Sequence, residues 1–220
     1  MTFRAPLLTT VAITATLAFA AVSGPTLQGQ TAAQKALLLT PEKLVEQAPA
    51  TFKANFESSK GPFVITVTKD WAPIGADRFY NLVKNGMYDG NRFFYVTDRL
   101  ATFGVSGDPA IAKAWLYAKI PNDKTHVHSN LRGTVHLTQS NGRKTQTIIL
   151  TQDTTSLDPQ ATPFGEVTQG LNVVERLYAG YGEMFPTGNA PTMTHLFMGN
   201  AYIEKEYPMM DFIKTAVIAP

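Results

Sequence analysis

The stretch from Ala72 to Val96, APIGADRFYNLVKNGMYDGNRFFYV, decides how the chain is read. Pro73 suits the first turn of a helix, where its missing N–H leaves no helical bond unmade. Ala76, Phe79, Tyr80 and Val83 recur at helical spacing, giving one apolar face. Gly86 is placed to stop the helix. Arg92 to Val96 then reads as a strand.

On the N-terminal side, Phe52, Ala54 and Phe56 alternate with Lys53 and Asn55, the period of two of a half-buried strand starting at Thr51. A turn at Ser58 to Gly61 and a β-branched run from Phe63 to Thr68 complete a hairpin. On the C-terminal side, a short strand is expected over Phe103 to Val105. Pro109 to Lys119 reads either as an amphipathic helix, on Ile111, Trp115 and Leu116, or as an irregular loop ending at Pro121 and Asn122. Further strands are expected at Gly133 to Thr138, Thr145 to Thr151 and Phe164 to Val167. Leu171, Val174, Leu177 and Tyr178 mark a second helix. A last strand is expected near Ala201 to Glu204, with Tyr207 to Ile213 packing beside it. Many short strands and two helices far apart in sequence indicate a mainly β fold, a closed antiparallel barrel capped by helices.

Composition agrees with one globular domain: 44% of the 220 residues are hydrophobic and 16% charged. Residues 1–23 read as a secretory signal, with Arg4 near the start, an apolar stretch from Leu7 to Ala20 and small residues up to a cleavage point after Ala20 or Ser23. Thr9, Thr10, Thr14 and Thr16 interrupt that stretch, which falls short of the ~20 residues needed to span a bilayer. An exported protein, periplasmic or extracellular, with no stable membrane span is therefore expected. Residues 24–50 read as an arm or linker with a helical patch at Glu42 to Gln47 behind Thr40 and Pro41, and 51–220 as the folded domain. There is no cysteine, hence no disulfide and no thiolate chemistry. Loss of 1–23 removes one charged residue from 19 basic and 17 acidic ones, leaving 18 against 17. Nothing in that balance points to nucleic acid.

The Ala72 to Val96 stretch is similar, without a gap, to the helix and following strand of cyclophilins. Pro73, Phe79, Leu82, Lys84, Gly86, Tyr88, Asp89, Gly90, Phe93 and Val96 carry the likeness. Gly107-Asp108, Arg132-Gly133-Thr134 and Phe164-Gly165-Glu166-Val167 agree in order and spacing, so the resemblance covers most of 51–205. It implies a closed eight-stranded antiparallel β-barrel with a helix over each open end. It also implies peptidyl-prolyl cis-trans isomerase activity without a cofactor, acting on proline-containing peptides or unfolded segments. A monomer is expected.

Rotation about an X–Pro bond breaks amide resonance against a barrier of about 20 kcal/mol. The resemblance implies that an arginine donates toward the proline nitrogen, a glutamine and backbone groups fix the carbonyl, and an apolar pocket grips the ring. In this chain Tyr95 holds the arginine position, and a phenol offers one hydrogen bond and no permanent charge. Asp98 to Thr102, before Phe103, replaces the pocket stretch with one residue fewer and no counterpart to its glutamine. Leu100, Ala101 and Phe103 remain as pocket candidates. His136, Thr138 and Gln139 lie where the family presents small residues and an asparagine. Gln146 falls on the second family glutamine, Ile148 replaces a phenylalanine, and Leu157 is retained. Ser156 stands for an aromatic residue, and Ala161 or Thr162 for a histidine. Arg99 or Arg143 either supplies the missing cation or is a solvated surface charge. Weak or absent turnover is expected, and the competing reading is a non-catalytic peptide-binding or chaperone module.

Other features read blandly. His126 and His128 lack the cysteines and carboxylates that would complete a metal site, so they read as exposed loop residues and no metal is expected. His195 reads as a loop residue, Trp71 and Trp115 as packing residues. No nucleophile-elbow pattern supports a hydrolase.

Overall fold

The computed structural model describes residue 1 and residues 30–139, 142–184 and 186–219. The rest of the signal-like segment 1–23, and the arm up to residue 29, lie outside the described residues. Strict alternation of burial builds β1, Thr51–Ser58, whose Phe52, Ala54, Phe56 and Ser58 face inward. It pairs with β2, Gly61–Thr68, from Thr51 opposite Thr68 to Ser58 opposite Gly61. Six strands follow: β3 Tyr95–Val96, β4 Leu100–Phe103, β5 Thr134–Leu137, β6 Thr147–Leu150, β7 Gly165–Gln169 and β8 Ile213–Ile218. All pairings are antiparallel, in the order β3-β4-β6-β5-β7-β2-β1-β8. The sheet curls until its edges meet. Arg92 bridges Phe212, the Phe93 N–H donates to the Asp211 carbonyl at 3.0 Å and the Ile213 N–H to that of Asn91 at 2.8 Å.

The helices are α1 Ala32–Leu38, α2 Pro73–Lys84, α3 Pro109–Ala114, α4 Leu171–Val174, α5 Met193–Leu196 and α6 Asn200–Glu206. Helix α2 carries Phe79 and Leu82, both fully buried, into the core. There Phe79 meets Phe164 at 4.7 Å, Phe56 stacks on Phe63 at 4.8 Å, and Tyr88 meets Phe103 edge-on at 5.0 Å between ring centroids. Each such ring contributes about 1.5–3 kcal/mol by leaving water. The Tyr88 hydroxyl sits 2.9 Å from Thr147 Oγ1, so its polar end is paired.

Several elements differ from the sequence expectation. Residues 201–204 are helical, within α6, and the last strand lies farther on at β8, where it pairs with β1. The second helix stops at Val174: the next bonds, from Arg176 to Val173 and Leu177 to Val174, are tight three-residue turns, and Asp211 then captures the Tyr178 N–H at 2.7 Å. Pro109 to Lys119 resolves into α3, capped by the Asp108 carboxylate accepting from the Ala110 N–H at 2.8 Å, followed by turns. The strand expected over 103–105 ends at Phe103. Extended pairing over 92–96 is confined to Tyr95 and Val96 apart from the Arg92 bridge. The arm's helix is not at 42–47 but at 32–38, where Thr31 and Gln34 form a capping box; residues 41–43 make only a 3-10 turn. Leu38, Leu44 and Ala48 are buried, and the Leu38 carbonyl accepts from the Trp115 indole at 2.8 Å. From Gln30 onward the arm is thus packed on the barrel.

Two titratable groups, one buried and one half-buried, set opposing pH dependences. His136, on β5, is 2% exposed with no partner for Nδ1 among the described residues; burial, and then the Arg143 charge, push its pKa down to about 4. Its stabilising neutral form is present above pH 6.5 and lost progressively as pH falls toward 4. Burial raises Asp89 to about 6 despite the Ala216 N–H it accepts, so the folded state gains stability as pH falls from 6 to 3.8. The two effects offset each other between pH 6 and 4. In Asp89→Asn, which keeps the acceptor oxygen, the histidine is unmasked, and urea unfolding should show a larger stability loss between pH 6.5 and 4 than in the wild type. A variant with the wild-type pH profile would remove this assignment.

Candidate functional site

Register places one row of side chains across four strands. Tyr95 lies opposite Thr102, Thr102 opposite Ile148, and Ile148 opposite His136. Pleating puts these four on one face of the sheet. The adjacent row, Ala101, Ile149 and Val135, faces the other way and is fully buried in the core. Outside the barrel, Tyr95, Leu100, Thr102, Gln146 and Ile148 wall a cavity of about 470 Å3, joined by Thr138 from the end of β5. Trp115 and Leu116, just after α3, close one side. Met184, Met193 and Phe197, from the segment between α4 and α6, close another.

The other sequence candidates lie elsewhere. Ala101 and Phe103 are 0% exposed and belong to the barrel interior, because on β4 they alternate with Leu100 and Thr102. His136 shares the row of Ile148 but is buried and does not line the cavity. Gln139 and Leu157 are half-buried and do not line it; Leu157 ends a 3-10 turn of its own. Arg99 projects into solvent beside Asp98 at 4.0 Å. Arg143 is neither a solvated charge nor a cavity residue. Its side chain is 2% exposed, donating to Asp123 Oδ2 at 2.7 Å and to the Pro121 carbonyl at 2.8 Å. Asp123 also accepts from the Ile74 and Gly75 N–H groups, both at 2.8 Å, capping α2. A Cβ at Gly75 would meet the Arg143 guanidinium, which would have to shift.

No arginine lines the cavity among the described residues. Lys144 does, and the Glu183 carboxylate acts on Tyr95 from nearby. Partial burial first, and Glu183 second, raise the Tyr95 pKa, with Arg99 opposing, so the phenol is a neutral donor at physiological pH. Gln146 is engaged by the chain itself: its Nε2 donates to Met193 Sδ at 3.4 Å. The sequence reading did not foresee Met184, Met193 and Phe197. The available signal was compositional: Met184, Met193, Met198, Met209 and Met210 are five of the chain's seven methionines, gathered in one segment.

His195 is on α5 rather than in a loop, its Nδ1 2.9 Å from the Tyr207 hydroxyl. Trp115 is 2% exposed, with the Arg78 guanidinium 4.9 Å from its ring centre, and Trp71 stacks on His128 at 3.6 Å.

Removing Arg143 strands the Asp123 carboxylate in the interior. Arg143→Ala should cost about 3–5 kcal/mol in urea unfolding, whereas Arg99→Ala should stay within about 0.5 kcal/mol of wild type. Equal, small effects from both would contradict the structural role given to the buried pair.

Comparison with known proteins agrees with this geometry. A peptidyl-prolyl cis-trans isomerase of Schizosaccharomyces pombe is 30% identical over 128 residues, which are 55% of this chain and 81% of that protein. The crystal structure of a cyclophilin type peptidyl-prolyl cis-trans isomerase from Cryptosporidium parvum matches with a TM-score of 0.56 at 15% identity, covering 77% of this chain and 98% of that one. At that identity the likeness speaks for the fold. Residues 53–195 match the family described as cyclophilin type peptidyl-prolyl cis-trans isomerase/CLD, and the chain belongs to that family.

Proposed function

We propose that the chain is an exported cyclophilin-type isomerase of low turnover, acting on proline-containing segments at the cavity walled by Tyr95, Gln146 and Ile148. The single observation that carries low turnover is the position of Tyr95, directly opposite Thr102 on the cavity wall, with both candidate replacement arginines held elsewhere. A twisted prolyl amide gathers electron density on its ring nitrogen. A fixed guanidinium stabilises that charge far better than a neutral phenol. Loss of one preorganised donor in other enzymes lowers rates by about 100- to 1,000-fold. Leu100 and Ile148 offer the ring an apolar wall, Gln146 is the amide nearest to hand for a carbonyl, and nothing in this chemistry calls for a cofactor. Export rests on the signal-like residues 1–23.

A second reading, a non-catalytic module that grips peptides or unfolded chains, is favoured by one contact: Gln146 Nε2 already donates to Met193 Sδ. Proline isomerisation in a short peptide, followed with the mature chain, separates the two. The wild type should run at least about 100-fold below an ordinary cyclophilin, and Tyr95→Arg should raise kcat/KM by about tenfold or more. A wild-type rate in the ordinary range would refute low turnover; no gain from Tyr95→Arg would favour the binding module.

A further inference from the structure

The outward row that carries Gln146 and Ile148 continues upstream of β6. Arg143, Thr145 and Thr147 are buried, whereas Gly142, Lys144, Gln146 and Ile148 are half-buried and line the cavity. Lys144 forms no ion pair with any described residue. Nor does Lys119, an exposed residue of the turns after α3, whose stem lies against Gly142: a Cβ there would stand 2.8 Å from Lys119 Cδ. The third cation at this end, Arg143, is already matched by Asp123.

The opposite end of the row is balanced differently. Ile148 leads across Thr102 to Tyr95, on which Glu183 and Arg99 act with opposite sign, and Asp98 stands 4.0 Å from Arg99. From Lys144 to Ile148 the strand advances about 13 Å. The cavity is therefore electrically polar along its length. Unmatched ammonium groups stand at the Lys144 end, and both signs of charge at the Tyr95 end.

That polarity acts on a prolyl segment in one direction. The X carbonyl of an X–Pro pair lies on the N-terminal side of the ring. With the ring against Ile148 and the carbonyl toward Gln146, the segment runs on N-terminally toward Lys144, about 7 Å farther along the row. We propose that the cavity selects proline-containing segments carrying Asp or Glu immediately before X, and that Lys144 reads this carboxylate, with Lys119 adding to its field. The inference rests on the prolyl-peptide reading of the cavity and deepens it by naming the substrate class.

Three capped peptides decide it: Ala-Gln-Ala-Pro-Phe-Gln, the same with Glu for the first Gln, and the same with Glu for the second. Each is titrated into the full chain at neutral pH and low salt, with binding read from protein amide shifts by NMR and isomer exchange from the peptide signals. Glu before X should tighten binding about two- to fivefold over the neutral peptide, as for a half-exposed ion pair, and the gain should fade in about 0.5 M salt. Glu after the proline should bring no gain. Lys144→Gln should abolish the preference, and Lys144→Glu should turn it against the acidic peptide. Equal binding of the three peptides, an equal gain from Glu on either side of the proline, or a gain that survives Lys144→Gln overturns the inference and leaves the isomerase reading standing. If none of the peptides binds, the isomerase reading falls and this inference with it. A charge preference in binding without any isomer exchange would sink turnover alone.

Discussion

The two-residue pleat of β4 and β6 is the constraint on which the rest of the molecule depends. Along β4, Ala101 and Phe103 turn into the barrel while Leu100 and Thr102 turn out. Along β6, Thr147 and Ile149 turn in while Ile148 turns out, and Gln146, just before the strand, joins it on the cavity wall. Core and cavity are therefore opposite faces of the same few residues. A slip of one residue would exchange them. The aromatic interior fixes the register, because Phe103 packs against Phe56, Tyr88 and Phe93, and the Tyr88 hydroxyl pairs with Thr147. The outer row inherits its positions from that packing and bears little of it.

Charge is distributed by the same logic. The chain holds a guanidinium in its interior, but Arg143 is committed to Asp123 and through it to the first turn of α2. Arg78 lies over the Trp115 ring with its pKa lowered chiefly by burial. Both positions consolidate the join between α2, the turns after α3 and the loop before β6. Neither places a cation over the outer row. Besides the Lys144 ammonium, the cavity presents a phenol, a hydroxyl and an amide, which act by hydrogen bonds.

How much was legible in the sequence follows from the range of the forces involved. Helix α2 was readable from Pro73 to Lys84, and the hairpin of β1 and β2 from its alternation, because each encodes its burial locally in period 3.6 or 2. Residues 200–206 misled because the Tyr202-Ile203 pair has β character while the helix buries only Ile203. The arm was misplaced by a Thr-Pro pair that starts only a 3-10 turn, while the capping box nine residues earlier, at Thr31, passed unnoticed. For the site, identity at Tyr95, Leu100, Gln146 and Ile148 was enough to name cavity residues, since family spacing carries strand register with it. It was not enough for Ala101 and Phe103, whose side chains point inward, nor for Arg143, whose partner Asp123 lies twenty residues away in a loop. The roof of Met184, Met193 and Phe197 is a tertiary contact without a local pattern.

Because the row that faces the cavity bears little of the packing, it is free to change chemistry without unfolding the barrel. Stability resides in the inward row, the aromatic cluster and the Arg143–Asp123 pair, none of which lines the cavity. Position 95 stands opposite Thr102 near Glu183 rather than in the core. This separation lets a chain keep the architecture of its family while the side chains on the cavity wall vary. It also means that conservation of the barrel is no measure of turnover. What the cavity does is decided by the few outward side chains at Tyr95, Thr102, Gln146 and Ile148 and by the methionine roof that closes over them.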